Sequence, residues 1–175
     1  TNEVSFVAEK NTINAPTVTT SSATNITTSS ATIGGNVTSD GGATVIERGV
    51  CYSTSSSNPT TSNSKKSAGS GLGNFTVNLS NLSAGTKYYV RAYAINEIGT
   101  SYGPTISFTT EEPSYSKPTV TTSSATNVTT SSATIGGNVT SDGGTTVTER
   151  GVCYSTSSSN PTTSNNKKTA GSGQG

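Results

Sequence analysis

Apolar and polar positions alternate along short stretches of this chain with a period of two. Ala31, Ile33, Gly35 and Val37 share one face of a strand that ends at Ser39-Asp40-Gly41-Gly42, a turn whose glycines tolerate positive φ. The next strand runs from about Thr44 to Ser53 and carries Val50, Cys51 and Tyr52. Phe75, Val77 and Leu79 alternate in the one after, then Tyr88, Val90, Ala92 and Ala94, and finally Ile106 with Phe108. A polar stretch, Thr54 to Gly73, lies between; its Lys65-Lys66 pair fits a solvated loop or a charged guard on an edge strand. No segment has helical period. Seven short strands with regular turns predict an all-β, antiparallel sandwich.

The pattern then repeats. Pro16-Thr17-Val18-Thr19-Thr20 returns as Pro118-Thr119-Val120-Thr121-Thr122, an offset of 102. At that offset residues 16–73 and 118–175 differ at only six of 58 positions: Ile26/Val128, Ala43/Thr145, Ile46/Thr148, Ser64/Asn166, Ser67/Thr169 and Leu72/Gln174. Val4-Ser5-Phe6 matches Ile106-Ser107-Phe108 in the same way. The expected organisation is a last strand of a preceding repeat at 1–10, a linker at 11–15, a complete repeat at 16–112, a linker at 113–117 and the first strands of a following repeat at 118–175. The fold expected is therefore a tandem of seven-stranded sandwiches with incomplete units at both ends.

The stretch Leu82-Ser83-Ala84-Gly85-Thr86-Lys87-Tyr88-Tyr89-Val90-Arg91-Ala92-Tyr93-Ala94-Ile95-Asn96 resembles the fibronectin type III family: a Leu, a Gly turn, a Tyr opening the sixth strand, alternating Val/Ala, and a closing Asn. Gly99-Thr100-Ser101-Tyr102-Gly103 fits the same pattern, and the resemblance covers 16–112 fully. It implies structural roles for Leu82, Gly85 and Tyr88, with Tyr88 as the tyrosine-corner residue whose hydroxyl bonds back to the upstream backbone. Two features depart from the family. The usual core Trp of the second strand is absent, which predicts a smaller core, and the loop Asn96-Glu97-Ile98-Gly99-Thr100 lacks the Arg-Gly-Asp integrin motif. Glu47-Arg48-Gly49-Val50-Cys51-Tyr52-Ser53 also resembles repeats of large secreted and surface proteins of bacteria.

Composition narrows the function. Only 27% of residues are hydrophobic and 11% charged, a thin supply for a core, but the formal net charge is +1 and threonine suits pleated strands, so order is expected. Ten basic against nine acidic residues offer no excess to attract nucleic acid or anionic lipid, and no apolar run approaches the roughly 20 residues of a membrane helix. Without histidine there is no Ser-His-Asp triad, and the scattered carboxylates do not pair for acid–base work. No catalytic, cofactor or metal site is expected.

The remaining candidates concern contact. Tyr89, Arg91 and Tyr93 alternate with the core residues of their strand, giving an aromatic and cationic outer stripe; the readings are cross-strand stabilisation or lateral contact with a neighbouring fibre or glycan. Ile13 and Tyr115 occupy the same place in successive linkers, with proline close by, which predicts a short stiff interdomain joint. Cys51 and Cys153 are one position repeated, expected as small buried residues but open to thiol reactivity or intermolecular pairing, since parity does not fix their face. The function expected is an extracellular structural or adhesive repeat of a stalk or filament, with a spacer or carbohydrate-binding accessory module of a secreted hydrolase as the alternative. The partners expected are neighbouring repeats or copies of the chain, with surface glycans or proteins as further candidates.

Overall fold

A computed structural model describes residues 12–175. The segment Val4-Ser5-Phe6 and the strand expected at 1–10 lie outside these residues. The chain divides into two compact units, one ending at Pro113 and the other spanning Ser114–Gly175.

In the first unit, β1 (Thr17–Thr20), β2 (Ala31–Ser39) and β5 (Gly73–Leu79) form one antiparallel sheet in the order β1-β2-β5. The facing sheet contains β3 (Glu47–Ser53), β4 (Ser64–Ser67), β6 (Lys87–Ile95), β7 (Thr100–Tyr102) and β8 (Ile106–Thr109), in the order β4-β3-β6-β7 with β8 also on β6. The final strand expected at Ile106 and Phe108 is thus two pieces along one edge of β6. Gly103-Pro104 separates them, because proline has no N–H to give to a ladder. The Lys65-Lys66 pair lies on β4, a four-residue edge strand exposed throughout, so charge guards an open edge.

The alternating residues meet between the sheets. Ile33, Val37, Phe75, Val77 and Leu79 face Val50, Tyr88, Val90, Ala92 and Ala94 in one buried cluster, with Phe108 stacked on Tyr88 at 5.6 Å. Small residues let this Trp-free core close. Phe75 lies against Gly35 and Ala92, and its ring carries the Arg48 guanidinium at 5.3 Å. The Arg48 Nη1 also donates to the carbonyls of Gly71, Leu72 and Gly73, fastening the start of β5. Tyr88 makes the predicted corner, its hydroxyl accepting the Ser83 N–H at 2.9 Å, with Leu82 buried nearby and Gly85 at φ 57° in the turn.

In the second unit the same strands recur at the 102-residue offset. They form two separate pairs: β9 (Thr119–Thr122) with β10 (Gly137–Ser141), and β11 (Arg150–Tyr154) with β12 (Asn166–Gly171). Here the residues of the core pattern lie open. Val120 is 64% exposed where its counterpart Val18 is 7% exposed, and Ile135 is 40% exposed against 1% for Ile33.

Candidate functional site

The outer face of the five-stranded sheet carries the predicted stripe, and the structure corrects the picture of it. Tyr93 does point away from the inter-sheet core, but it is fully buried rather than presented to a partner. Three residues surround it, two from β3 and one from β4. Opposite on β3 stands Gly49, where an added Cβ would come within 2.9 Å of the Tyr93 hydroxyl, so the glycine makes room for the ring. Lys65 from β4 extends its ammonium over the ring at 5.7 Å. Glu47 Oε1 accepts the Tyr93 hydroxyl at 2.5 Å and the Lys65 ammonium at 2.9 Å.

The loop from Thr54 to Asn63 folds back over the rest of this face. Pro59 is fully buried, and its carbonyl accepts the Cys51 thiol at 3.3 Å. The Thr61 N–H is bonded to the Tyr102 hydroxyl at 3.1 Å, and the Thr105 hydroxyl donates to Asn58 at 2.9 Å. Arg91, half-buried, donates from Nε to the Gly103 carbonyl at 2.9 Å and lays its guanidinium on Tyr102 at 4.7 Å. Tyr89, like Arg91, stays partly accessible, with the Lys87 ammonium over its ring at 4.9 Å. The stripe is therefore a second, thinner packed layer, satisfied within the unit. Cys51 belongs to it, on the face opposite Val50, and burial pushes its thiol pKa up.

The Glu47–Tyr93 bond makes stability depend on pH. The hydrogen bonds from Tyr93 and then Lys65 lower the Glu47 pKa. Burial, reinforced by the Glu47 bond, raises that of Tyr93. The Glu47 contribution is present above the unfolded carboxylate pKa of about 4.3 and is lost as pH falls through its folded value. The Tyr93 contribution is complete below about pH 10 and is lost as pH rises toward its folded value. Denaturant midpoints measured across pH should form a plateau with a falling limb at each end. Tyr93→Phe should flatten the alkaline limb and soften the acid one; an unchanged alkaline limb would remove Tyr93 as its cause.

Of the joint residues, Ile13 is half-buried at the entry of the first unit, where the adjoining Asn14 donates its N–H to Gly41 and accepts from Asn96 through its carbonyl. Tyr115 is 64% exposed. Among the described residues no three His, Cys, Asp or Glu side chains gather to hold a metal, and no helix is long and apolar enough to cross a membrane.

A concavity lies in the second unit. It is a cleft of about 1130 Å³ between the β9–β10 and β11–β12 pairs, lined by Val120, Ile135, Val139, Val147, Val152 and Cys153. Val120, Ile135, Val139 and Val152 correspond to Val18, Ile33, Val37 and Val50 of the inter-sheet core, Val147 to Val45, and Cys153 to Cys51 of the outer layer.

The complete unit is a fibronectin type III-like sandwich. No protein-family model and no curated protein sequence matches the chain. Among solved structures, the sensor domain of the anti-sigma factor RsgI4 of Pseudobacteroides cellulosolvens is 19% identical, with 58% of this chain and 99% of that chain covered and a TM-score of 0.42. A fibronectin type III domain from the human KIAA0970 protein is 13% identical over 58% of this chain and 78% of that one, with a TM-score of 0.39. A multidomain segment of titin is 21% identical over 58% and 33%, with a TM-score of 0.38.

Proposed function

We propose that the chain is an extracellular structural or adhesive repeat module, a segment of the stalk or filament of a bacterial surface or secreted protein. The observation that carries this reading is the recurrence of 58 residues with six differences, built into the same strands at the same offset. A chain selected for one ligand site concentrates its unusual residues there; this one duplicates a scaffold and uses its aromatic and charged side chains to pack it. Reach and repeated weak contact then scale with repeat number. Neighbouring repeats are the partners, with Ile13 and Tyr115 at successive joints. The near-zero net charge gives no attraction for nucleic acid.

The alternative, a carbohydrate-binding accessory module, gains less support, because the outer face of the complete unit offers no open aromatic platform: Tyr93 is buried and Tyr102 lies beneath Arg91. An antibody raised against the chain tests location. Protease added to intact cells should remove the antigen; antigen that is lost only after lysis would overturn an extracellular role.

A further inference from the structure

Among the described residues the two sheets of the first unit end on four edges, and an open edge is a row of unpaired backbone donors and acceptors that another strand can join. Three of these edges are guarded. β4 is four residues long and carries Lys65 and Lys66. β7 and β8 are two short pieces parted at Gly103-Pro104. The pairing of β1 shifts register between Thr17 and Val18, and the Thr20 hydroxyl accepts the Ala92 N–H, which ties the end of β1 to the facing sheet.

The fourth edge, along β5, has none of these devices. Gly73–Leu79 runs for seven residues without a proline or a charged side chain. Its pairing with β2 keeps one register, from Val37 opposite Gly73 to Ala31 opposite Leu79, with no bulge. Among the described residues no strand lies on its other side. Arg48 fixes its first residue by donating to the Gly73 carbonyl, so the edge is held in place. Asn74, Thr76 and Asn78 are exposed on one face, while Phe75, Val77 and Leu79 are buried on the other. This edge belongs to the complete unit and follows from its topology.

We propose that β5 pairs with β5 of a second copy of the chain, antiparallel about a two-fold axis at Thr76, joining the β1-β2-β5 sheets of the two copies edge to edge. In that register the strand is its own complement. Thr76 stands opposite its counterpart, Asn74 opposite Asn78 and Phe75 opposite Val77, so the polar face continues as polar and the apolar face as apolar. Backbone hydrogen bonds supply the attraction, as in other strand additions, and no like charges face each other to oppose it. The contact is isologous, so each copy offers and receives the same edge and the assembly closes at two. In an array the contact recurs with each repeat along two neighbouring chains, where avidity multiplies it. The pairing of two single units does not depend on the stalk reading.

Sedimentation equilibrium of the full chain at rising concentration, under reducing conditions, should show a monomer–dimer equilibrium. Thr76→Lys should weaken dimerisation by about tenfold or more, because two ammonium groups would face each other at the axis. Thr76 is exposed, so an unchanged denaturant midpoint should accompany the loss. Thr32→Lys places the same charge on the same face one strand inward, opposite Asn78, and should leave dimerisation unchanged. Register is read by cross-linking in a Cys153→Ser background, where the remaining Cys51 is fully buried. Asn74→Cys chains mixed with Asn78→Cys chains should oxidise to the mixed disulfide, since directly opposed Cβ atoms lie about 4.5–5.5 Å apart. Either variant alone holds its two thiols about 13 Å apart, four residues along the strand, and should cross-link far more slowly.

A chain that stays monomeric at every concentration overturns the proposal, as does association that Thr76→Lys leaves unchanged. Equal weakening by Thr32→Lys would move the contact from the edge to the face of the sheet and overturn it too. So would either cysteine variant cross-linking alone as fast as the mixture, because the two strands would then meet in another register.

Discussion

Replacing Tyr93 by serine should destabilise the first unit by about 3–5 kcal/mol, the range for removing a buried aromatic side chain. The ring fills the space left by Gly49, its hydroxyl is one of two donors to Glu47, and Lys65 lies over it. Truncation would leave a cavity between Gly49 and the Lys65 side chain. It would also return Glu47 to a single partner. Tyr89→Ser, two residues away on the same face, should cost about 1 kcal/mol or less, since that ring is only partly covered. Denaturant unfolding of the two variants separates these cases, with Cys51 alkylation as a local probe because its thiol belongs to the same layer. Small and equal losses would return Tyr93 to the role of an exposed contact residue.

The second large effect is expected at Gly35, where Gly35→Val should destabilise by about 3 kcal/mol through overpacking. A Cβ at this position would lie 2.7 Å from the Ala92 Cβ and 3.0 Å from the Phe75 Cζ, and would also press on the Thr19 carbonyl of β1. None of these can yield easily, since Ala92 and Phe75 hold the sheets together and Thr19 is ladder backbone. Gly137 is the same position in the second unit, and there the atoms nearest an added Cβ are backbone atoms of Thr121 and Thr122 of β9. Gly137→Val should therefore cost less, and the difference isolates the crowding against Phe75 and Ala92. Equal losses at the two sites would place the whole penalty in the β1 contact.

Much of the fold was legible because the inter-sheet core is built from alternation. Phe75, Val77 and Leu79 on β5 and Tyr88, Val90, Ala92 and Ala94 on β6 each mark a face by themselves, and the Leu82-to-Tyr88 spacing marks the corner. The outer face was not legible in this way. Period two shows that Tyr93 points away from one core, but not that a distant loop supplies another. The cover comes from Thr54–Asn63, a Ser/Thr-rich stretch without apolar rhythm, whose buried member is a single proline. Cys51 was ambiguous for the same reason, since Val50 and Cys51 are both buried, on opposite faces. The final strand was read short because its first piece, Thr100–Tyr102, contributes no buried apolar alternation.

The six differences between the two half-sandwiches bear on how such a chain reaches its native state. Ala43, Ile46, Ser64, Ser67 and Leu72 lie in loops or on the β4 edge, and only Ile26/Val128 touches the core, with one apolar residue for another. Nothing in the interior tells one half from the other, so recognition between strands does not by itself prevent a segment from choosing the wrong repeat. Order of appearance does. Residues 16–73 leave the ribosome before residues 74–112, and residues 118–175 follow both, so during synthesis the first complementary half available is the correct one. Refolding of the whole chain from denaturant lacks this sequence in time, and it exposes the array to cross-repeat pairing that synthesis avoids.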